Sequence, residues 1–378
     1  MQCIRMTFFA YDISVNWERR EMCTMSRASE IANNVWLGPT PDSTLCPASE
    51  AENGRDEFDI YIEASDLAAP PDQQTLERLA EMSVSAPQHL EFPSSGSIMP
   101  VTWSQTEVDS LMDTCQWLYR LANPEAESSD SSEERNADGD IEMHSLPPRH
   151  RRILIHCTDG YTESTLLALA YFMYAEGIPV HQAWLRLHCE KQRNFFAYPS
   201  DVALLTSIQP RILSESPRGP SDLALNTEPA WLSRMDGSLP SRILSYMYLG
   251  NLGHANNPEL LKELGIKRVL SVGEPVSWTK EVRESWGAGN LLFIDRVQDN
   301  GVDPLTEEFG RCLEFIGKSE SSFVYRETAS NPYTDVITEK GENDGTATLV
   351  HCRVGVSRSA TICIAEVMSA MGLSFPRA

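Results

Sequence analysis

The chain has 378 residues, of which 41% are apolar, and it carries a formal net charge of −23 at pH 7. This length is enough for two folded domains, and the apolar content excludes a wholly disordered chain. The negative charge argues against nucleic acid or an anionic membrane as the main partner, because either would require a basic surface.

The start of the sequence gives a poor signal peptide. Its apolar stretch, Met6–Tyr11, is short and is followed by charged residues at 18–21. No run in the chain approaches the roughly 18 apolar residues that span a bilayer. The nine cysteines are odd in number and widely spaced, without a CxxC pair, as is typical of reduced thiols. We therefore expect an intracellular protein, in the cytoplasm or nucleus, without a metal.

Two stretches lack the pattern of folded structure. Residues 123–149 carry eight acidic residues against two arginines and few large apolar side chains, which predicts a disordered loop. Residues 214–238 contain three prolines and two glycines, which predicts a linker. The linker separates a first domain over 26–213 from a second over 239–378.

The sequences on the two sides of the linker resemble each other. The segment from Ala28 to Gly38 shares its Ser, Ile and aromatic-Leu-Gly positions with the segment from Pro240 to Gly250. Farther on, each half has a short apolar strand that runs into His-Cys, at Cys157 and at Cys352. This similarity predicts a tandem repeat of one domain.

The predicted elements of each copy alternate between strands and helices. Long apolar helices are expected over 166–174 and 360–371, both buried on nearly all faces. Strands predicted at 268–272 and 291–294 alternate with helices predicted at 257–264 and 304–316. The fold class is therefore α/β, with a central and mostly parallel sheet flanked by helices in each copy.

The second copy carries the pattern Cys-x5-Arg-Ser between a predicted strand and a helix N-terminus. Gly355 lets the backbone turn tightly, so that successive N–H groups and the helix dipole face one anion. This environment is expected to lower the pKa of Cys352 and to leave a thiolate that can attack phosphorus. Arg358 can donate two hydrogen bonds to a phosphate, and Ser359 can donate one to the sulfur. The expected phosphate-binding residues are Arg353, Val354, Gly355, Val356, Ser357 and Arg358.

The segment HCRVGVSRSATICIAEVM, from His351 to Met368, resembles the signature of the dual-specificity protein phosphatases. Residues 248–272 resemble the start of the same domain, and the tandem arrangement resembles that of the fungal two-domain members. The resemblance implies two copies of the cysteine-phosphatase fold. It also implies hydrolysis of phosphotyrosine and phosphoserine or phosphothreonine in proteins, through a phosphocysteine intermediate and without a cofactor. The implied partners are phosphorylated proteins, with a kinase as one candidate.

By the same resemblance, the general acid is Asp299, which lies in the segment from Val297 to Asn300. Here 53 positions separate Asp299 from Cys352, more than in the family, and we attribute the excess to a polar insertion over 319–346. Asp303 is the alternative acid.

The first copy has a degenerate loop. It keeps Cys157 and Gly160, but Glu163 occupies the position of the arginine and Asp159 lies inside the loop. Two carboxylates repel a phosphate dianion, and the bidentate contact of the arginine is lost. We therefore expect this domain to be non-catalytic, with a role in support or partner docking. The alternative for the whole chain is a pseudophosphatase scaffold that binds phosphoproteins without turnover.

The repeat also predicts where the second copy ends. The offset of 195 positions between the two cysteines aligns 177–183 with 372–378 without a gap. The first copy continues beyond this segment into a predicted helix at 184–193 and an apolar segment at 201–205. We therefore expect the second copy to be incomplete at its C-terminus.

Overall fold

The computed structural model describes residues 28–41, 58–81, 86–96, 103–124, 150–220, 228–295, 297, 305–317 and 347–375. These residues divide between two compact units. The first unit comprises the described residues up to Pro229 together with Asp236–Ser238, and the second comprises Ala230–Met235 and those from Leu239 onwards. The predicted insertion at 319–346, and the predicted disordered loop apart from its first two residues, lie outside the described residues.

The first unit contains a five-stranded sheet in the order β1-β2-β5-β3-β4. Its strands are β1 (Ser29–Ala32), β2 (Val35–Pro39), β3 (Ile60–Ser65), β4 (Gln88–Pro93) and β5 (Ile153–Cys157). β1 pairs antiparallel with β2, whereas the other pairs are parallel. The central strand β5 is buried at every residue, as expected for a parallel strand covered on both faces.

The helices of the first unit are α1 (Gln73–Glu81), α2 (Gln105–Ala122), α3 (Thr165–Glu176), α4 (Val180–Cys189) and α5 (Pro199–Ser214). α2 begins with a capping box in which Ser104 and Glu107 satisfy each other's backbone N–H groups. α3 follows the loop after β5, and all its residues from Thr165 to Ala175 are buried. The prediction of a central, wholly buried helix is therefore confirmed for the first copy.

The second unit repeats this topology strand for strand. Its sheet has the order β6-β7-β10-β8-β9. The strands are β6 (Ser241–Leu244), β7 (Met247–Gly250), β8 (Ile266–Val272), β9 (Leu291–Ile294) and β10 (Ala347–His351). Even the irregular register of the first hairpin, between Glu30 and Ala32, recurs between Arg242 and Leu244. The prediction of two mostly parallel sheets flanked by helices is confirmed.

The helices of the second unit are α6 (Leu252–Ala255), α7 (Pro258–Glu263), α8 (Lys280–Trp286), α9 (Phe309–Gly317) and α10 (Arg358–Met371). The helix predicted at 304–316 starts as a 3-10 turn, Leu305–Glu308, and becomes α-helical at Phe309. The prediction that the second long helix is buried on nearly all faces was wrong. α10 buries one stripe, which includes Ile362 and Val367, and exposes Ser369 and Ala370 on the other side.

The core of the second unit brings the loop cysteine into contact with the sheet and its helices. Cys352 belongs to one buried cluster with Leu270 of β8, Val350 of β10, Phe315 of α9 and Ile362 of α10. Burial of these apolar side chains is the main stabilising contribution to the unit. Among the described residues, none of the helices combines the length and the hydropathy that crossing a membrane requires.

Candidate active site

The loop of the second unit connects β10, which ends at His351, to α10, which begins at Arg358. β10 is the central strand and pairs in parallel with β7 and β8. Cys352 therefore lies at the carboxyl edge of a parallel sheet and directly before a helix N-terminus. This edge is where open α/β sheets bind their ligands, and the helix N-terminus favours an anion.

A glycine is required at the turn of this loop. Gly355 has a φ of +89°, and a Cβ added there would lie 2.8 Å from the carbonyl oxygen of Gly250 at the end of β7. The first unit uses the same device, because a Cβ on Gly160 would lie 2.4 Å from the carbonyl carbon of Gly38 at the end of β2. Both loops therefore pack closely against the neighbouring strand.

The sulfur of Cys352 is buried and accepts hydrogen bonds from two groups of the loop and helix. Ser359 Oγ lies 3.1 Å from Sγ, and the backbone N–H of Gly355 donates to it over 3.3 Å. Burial by itself raises the pKa of the Cys352 thiol. Hydrogen bonds from the Ser359 side chain and from the backbone N–H groups of Ser359, Gly355 and Ser357 outweigh that effect, so the pKa is lowered from its ordinary value.

The guanidinium of Arg358 is buried and held by two acceptors. Nη1 donates to the carbonyl oxygen of Val297 over 2.9 Å. Nη2 lies 3.0 Å and 3.2 Å from the two carboxylate oxygens of Glu274. Gly273 leaves room for this side chain, because a Cβ there would lie 1.8 Å from Nη1. Within the described part of the chain, Nε of Arg358 is buried and has no hydrogen-bond partner.

The remaining predicted phosphate-binding residues form the outer part of the loop. Arg353, Val354 and Val356 are exposed, whereas Gly355 and Ser357 are half-buried. Val354 and Val356 are 65% and 75% exposed, so the rim of the loop presents two apolar side chains to solvent. The side chains of these residues do not enter the core, so the loop itself is formed by their backbone atoms.

The two candidate general acids, Asp299 and Asp303, lie outside the described residues. Of the segment that carries Asp299, only Val297 is described, and its carbonyl oxygen contacts Arg358.

The side chain of His351, at the end of β10, contacts the neighbouring strand β8. The ring is fully buried, with Nε2 2.7 Å from Ser271 Oγ of β8 and Nδ1 3.3 Å from the carbonyl oxygen of Cys352. Burial lowers the pKa of His351 to about 4, and the backbone contact with Cys352 opposes part of that shift. The imidazole is therefore neutral near pH 7 and orients the strand end.

The loop of the first unit keeps the hydroxyl contact and pairs its thiol with a carboxylate. Ser164 Oγ donates to the sulfur of Cys157 over 3.3 Å. The thiol of Cys157 lies 3.6 Å from an oxygen of Asp159, which also accepts the backbone N–H of Tyr161 over 2.8 Å. Glu163 Oε2 is buried without a hydrogen-bond partner among the described residues. Asp159 and Glu163, the two carboxylates expected to repel a phosphate, therefore lie within the loop.

A cation that the sequence pattern did not predict lies beside this first loop. The buried Arg193 donates from Nη2 to the carbonyl oxygen of Gly160 over 2.5 Å. Burial lowers the pKa of Arg193, while negative charge at Cys157 and Asp159 raises it. The ligand atoms of Cys157, Asp159 and Glu163 lie within 4.8 Å of one another, a spacing that a metal ion could use. The guanidinium beside them opposes a metal ion there, and we assign none.

Sequence reasoning also missed Glu274. It follows Gly273 directly after β8, and the carboxyl ends of parallel strands meet at the edge that carries the loop. A charged residue directly after β8 could therefore have been predicted to lie near the loop.

Comparison with known proteins places the chain near one group of enzymes. No family model matches the chain. The dual specificity protein phosphatase PPS1 of Saccharomyces cerevisiae is 29% identical over 357 residues, which cover 74% of this chain and 38% of that protein. Human dual specificity protein phosphatase 6 is 26% identical over 214 residues, which cover 54% of this chain and 49% of that protein. Dual specificity protein phosphatase 1 of Arabidopsis thaliana is 27% identical over 143 residues, 38% of this chain and 58% of that protein.

The match to PPS1 extends over parts of both units. The match to PPS1 covers a larger share of the chain than either unit contains, so it includes parts of both. The chain spans less than half the length of the first two of these relatives.

Proposed function

The chain is related to the dual-specificity protein phosphatases, and on that basis we propose that its second unit transfers the phosphoryl group of a phosphoprotein to Cys352 and then to water. The observation that carries this proposal is the buried sulfur of Cys352, whose pKa is lowered by hydrogen bonds from Ser359 and the loop backbone. Other buried cysteines of the unit behave in the opposite way. Burial raises the pKa of Cys312 to about 11, and it also raises the pKa of Cys363. A cysteine that favours its thiolate is suited to nucleophilic attack.

The first step forms the phosphocysteine. The thiolate of Cys352 attacks phosphorus, an S–P bond forms, and the bond from phosphorus to the substrate oxygen breaks. Asp299, the general acid implied by the family resemblance, gives its proton to the departing oxygen. Arg358 and the N–H groups of the loop bind the three remaining phosphate oxygens and their developing charge.

The second step releases phosphate. Water attacks phosphorus while the carboxylate of Asp299 takes its proton, and the S–P bond breaks. The sulfur of Cys352 leaves as a thiolate. The hydrogen bond from Ser359 stabilises that thiolate, which makes it a better leaving group.

The proposed substrates are proteins that carry phosphotyrosine, phosphothreonine or phosphoserine, inside the cell, and a kinase is one candidate. The loop supports a protein substrate over a phosphoinositide. It contains one basic residue besides Arg358, namely Arg353, and no lysine. Its exposed rim, Val354 and Val356, suits an amino-acid side chain better than a polyanionic headgroup.

We propose that the first unit has the same phosphatase fold without activity. The matched strand order and the glycine turns support the shared fold. The carboxylate of Asp159 next to the thiol of Cys157, and Glu163 in place of an arginine, support the absence of turnover.

The test is a rapid acid quench of the 378-residue chain with a labelled phosphopeptide. We expect a phosphoenzyme with the label on Cys352 in the wild type and in the matched variant Cys157→Ser, and none in Cys352→Ser. Cys352→Ser should still bind inorganic phosphate, because Arg358 and the loop N–H groups remain. Phosphopeptide binding without any release of phosphate would favour the scaffold alternative. Turnover that survives Cys352→Ser would contradict the proposed nucleophile.

A further inference from the structure

We propose that the second unit binds a carboxylate between Arg268 of β8 and Thr348 of β10, at the edge of the sheet opposite to Cys352. The ligand is a monoanion, either a free ion or an acidic side chain of the chain itself. The site is separate from the proposed function, because it takes no part in the transfer of the phosphoryl group.

Arg268 is a cation inside the core of the second unit. The residue is 6% exposed, and its Cζ lies 4.2 Å from the centroid of the Phe315 ring on α9. Nη1 is buried and has no hydrogen-bond partner among the described residues. Burial lowers the pKa of the guanidinium, as expected for a cation removed from water. An aromatic ring does not replace the hydrogen bonds of a guanidinium, and buried charges are normally paired, so an anion is expected here.

The neighbouring strand brings a second unsatisfied polar group to the same place. Thr348 is fully buried, and within the described part of the chain its Oγ1 has no hydrogen-bond partner. Arg268 and Thr348 are opposite each other in the parallel register of β8 and β10. Their side chains therefore leave the same face of the sheet from strands about 5 Å apart. A ligand that accepts one hydrogen bond from each residue satisfies both groups.

The site lies at a distance from the catalytic loop. Side chains at alternate positions of a strand share a face, so Thr348 lies on the face of Val350 and Cys352, which belong to the core cluster. Thr348 precedes Cys352 by four positions, roughly 13 Å along a strand. At this amino edge, Gly265 has nothing within 4 Å of an added Cβ, so the turn before β8 is open. The carboxylate and the substrate phosphate therefore do not compete for one position.

The charge of the site favours a carboxylate over a phosphate. One guanidinium neutralises one negative charge, whereas a phosphate dianion would leave a net charge buried. The planar fork of the guanidinium matches the two oxygens of a carboxylate. Glu366 of α10 is a buried carboxylate of the same unit, and it accepts a hydrogen bond from Tyr246 Oη over 2.8 Å. Its negative charge disfavours a dianion in this core more than a monoanion.

The experiment titrates the 378-residue chain with sodium fluoroacetate, with sodium chloride added to keep the ionic strength constant. The variants are Arg268→Met and Thr348→Val, binding is followed by the fluorine NMR line width, and stability is followed by urea unfolding. Arg152→Met is the matched control, because its guanidinium also lies over an aromatic ring, 4.8 Å from the centroid of Trp36 in the first unit.

For a free carboxylate we expect saturable binding to the wild type and to Arg152→Met. Arg268→Met should bind about tenfold more weakly or worse, because it lacks the charge-assisted hydrogen bonds. Thr348→Val should bind about threefold more weakly or worse, because it lacks the hydroxyl. The titration is repeated with inorganic phosphate, which fills the loop of Cys352. Phosphate that displaces the Arg268-dependent signal would overturn the assignment to a monoanion, and equal binding in Arg268→Met would overturn the site.

Urea unfolding identifies the other source of the carboxylate. If the chain's own acidic side chain occupies the site, fluoroacetate does not bind, and both variants unfold at a lower urea concentration than the wild type. Without an anion the effect has the opposite sign, because removing an unpaired buried charge or hydroxyl stabilises a core. The inference is overturned if fluoroacetate does not bind and either variant unfolds at the same or a higher urea concentration than the wild type.

Discussion

The hydroxyl of Ser359 lies 3.1 Å from the sulfur of Cys352. The first unit has the same contact at its own cysteine, where Ser164 Oγ lies 3.3 Å from the sulfur of Cys157. Both loops therefore share the hydroxyl contact. The loops differ at the position before the serine, which is Arg358 in the second unit and Glu163 in the first, and at the position of Asp159, which is Val354 in the second.

Ser359→Ala should raise the pKa of the Cys352 thiol, because a hydrogen bond that lowers it is removed. The measurement is the pH dependence of Cys352 alkylation by iodoacetamide, followed by mass spectrometry of the modified peptide. Breakdown of the phosphocysteine should also slow. Ser369→Ala, an exposed position on the same helix, is the control. An unchanged alkylation profile in Ser359→Ala would show that the hydroxyl does not stabilise the thiolate.

Asp299→Asn should slow substrates with poor leaving groups much more than substrates with good ones. A general acid contributes about a hundredfold or more where the leaving oxygen needs a full proton. We expect a loss of that size with phenyl phosphate and a loss of about tenfold or less with p-nitrophenyl phosphate. The companion variant is Asp303→Asn, which should be close to wild type on both. If Asp303→Asn shows the selective loss instead, Asp303 is the general acid.

Gly273→Ala should inactivate the second unit while leaving it folded. The added methyl would lie 1.8 Å from Arg358 Nη1 and 2.9 Å from the carbonyl oxygen of Val297, so the guanidinium must move. We expect kcat/KM for an aryl phosphate to fall about tenfold or more. Gly265→Ala is the control, because it has a similar φ of +70° and nothing within 4 Å of the added atom. Both variants carry a backbone strain of about 1–2 kcal/mol, so similar melting temperatures with different activities are expected. Equal activities would contradict the clash.

The second unit should lose stability in mild acid through His351. Burial lowers the pKa of its folded form from 6.5 to about 4. Between those values the unfolded chain binds a proton that the folded chain does not, so stability falls as the pH decreases from about 6.5 to about 4. The difference between these pKa values corresponds to about 3 kcal/mol. Urea unfolding at pH 7 and at pH 4.5 should show a smaller loss in His351→Gln than in the wild type. The same loss in both proteins would assign the acid sensitivity to other groups.

The first unit should respond to pH in the opposite direction through Asp201. Burial raises the pKa of this carboxyl from 3.8 to about 6, although hydrogen bonds from the backbone of Gly96 and from Ser200 oppose the shift. The folded chain keeps a proton that the unfolded chain loses, so this stability is present below about 4 and is lost as the pH rises through 6. The change amounts to about 3 kcal/mol. Asp201→Asn should remove this slope between pH 4 and pH 8, whereas the exposed Glu81→Gln should keep it. A slope that persists in Asp201→Asn would overturn the assignment.

The elements next to each cysteine could be predicted from sequence, because their patterns are local and strong. β5 and β10 are short apolar runs that end at His-Cys, and α3 is apolar along its whole length. The partial exposure of α10 could not be predicted in this way. An apolar composition does not specify which side of a helix a neighbouring element covers.

The contacts that hold the two loops are long-range, and sequence reasoning did not find them. Glu274 precedes Arg358 by 84 positions, and Arg193 follows Gly160 by 33. Which strand ends become neighbours depends on the sheet order, and that order is set by the packing of the whole unit. The residue types were visible in the sequence, but their pairing was not.

The anchoring of Arg358 makes the site depend on completion of the sheet. Its guanidinium contacts a residue 61 positions away after β9 and another 84 positions away after β8. β9 is a four-residue edge strand whose Phe293 is 40% exposed. Fraying of that edge would release the carbonyl of Val297 without unfolding the helices. Recovery of enzyme activity during refolding should therefore lag behind recovery of helical structure, because these non-local contacts form late.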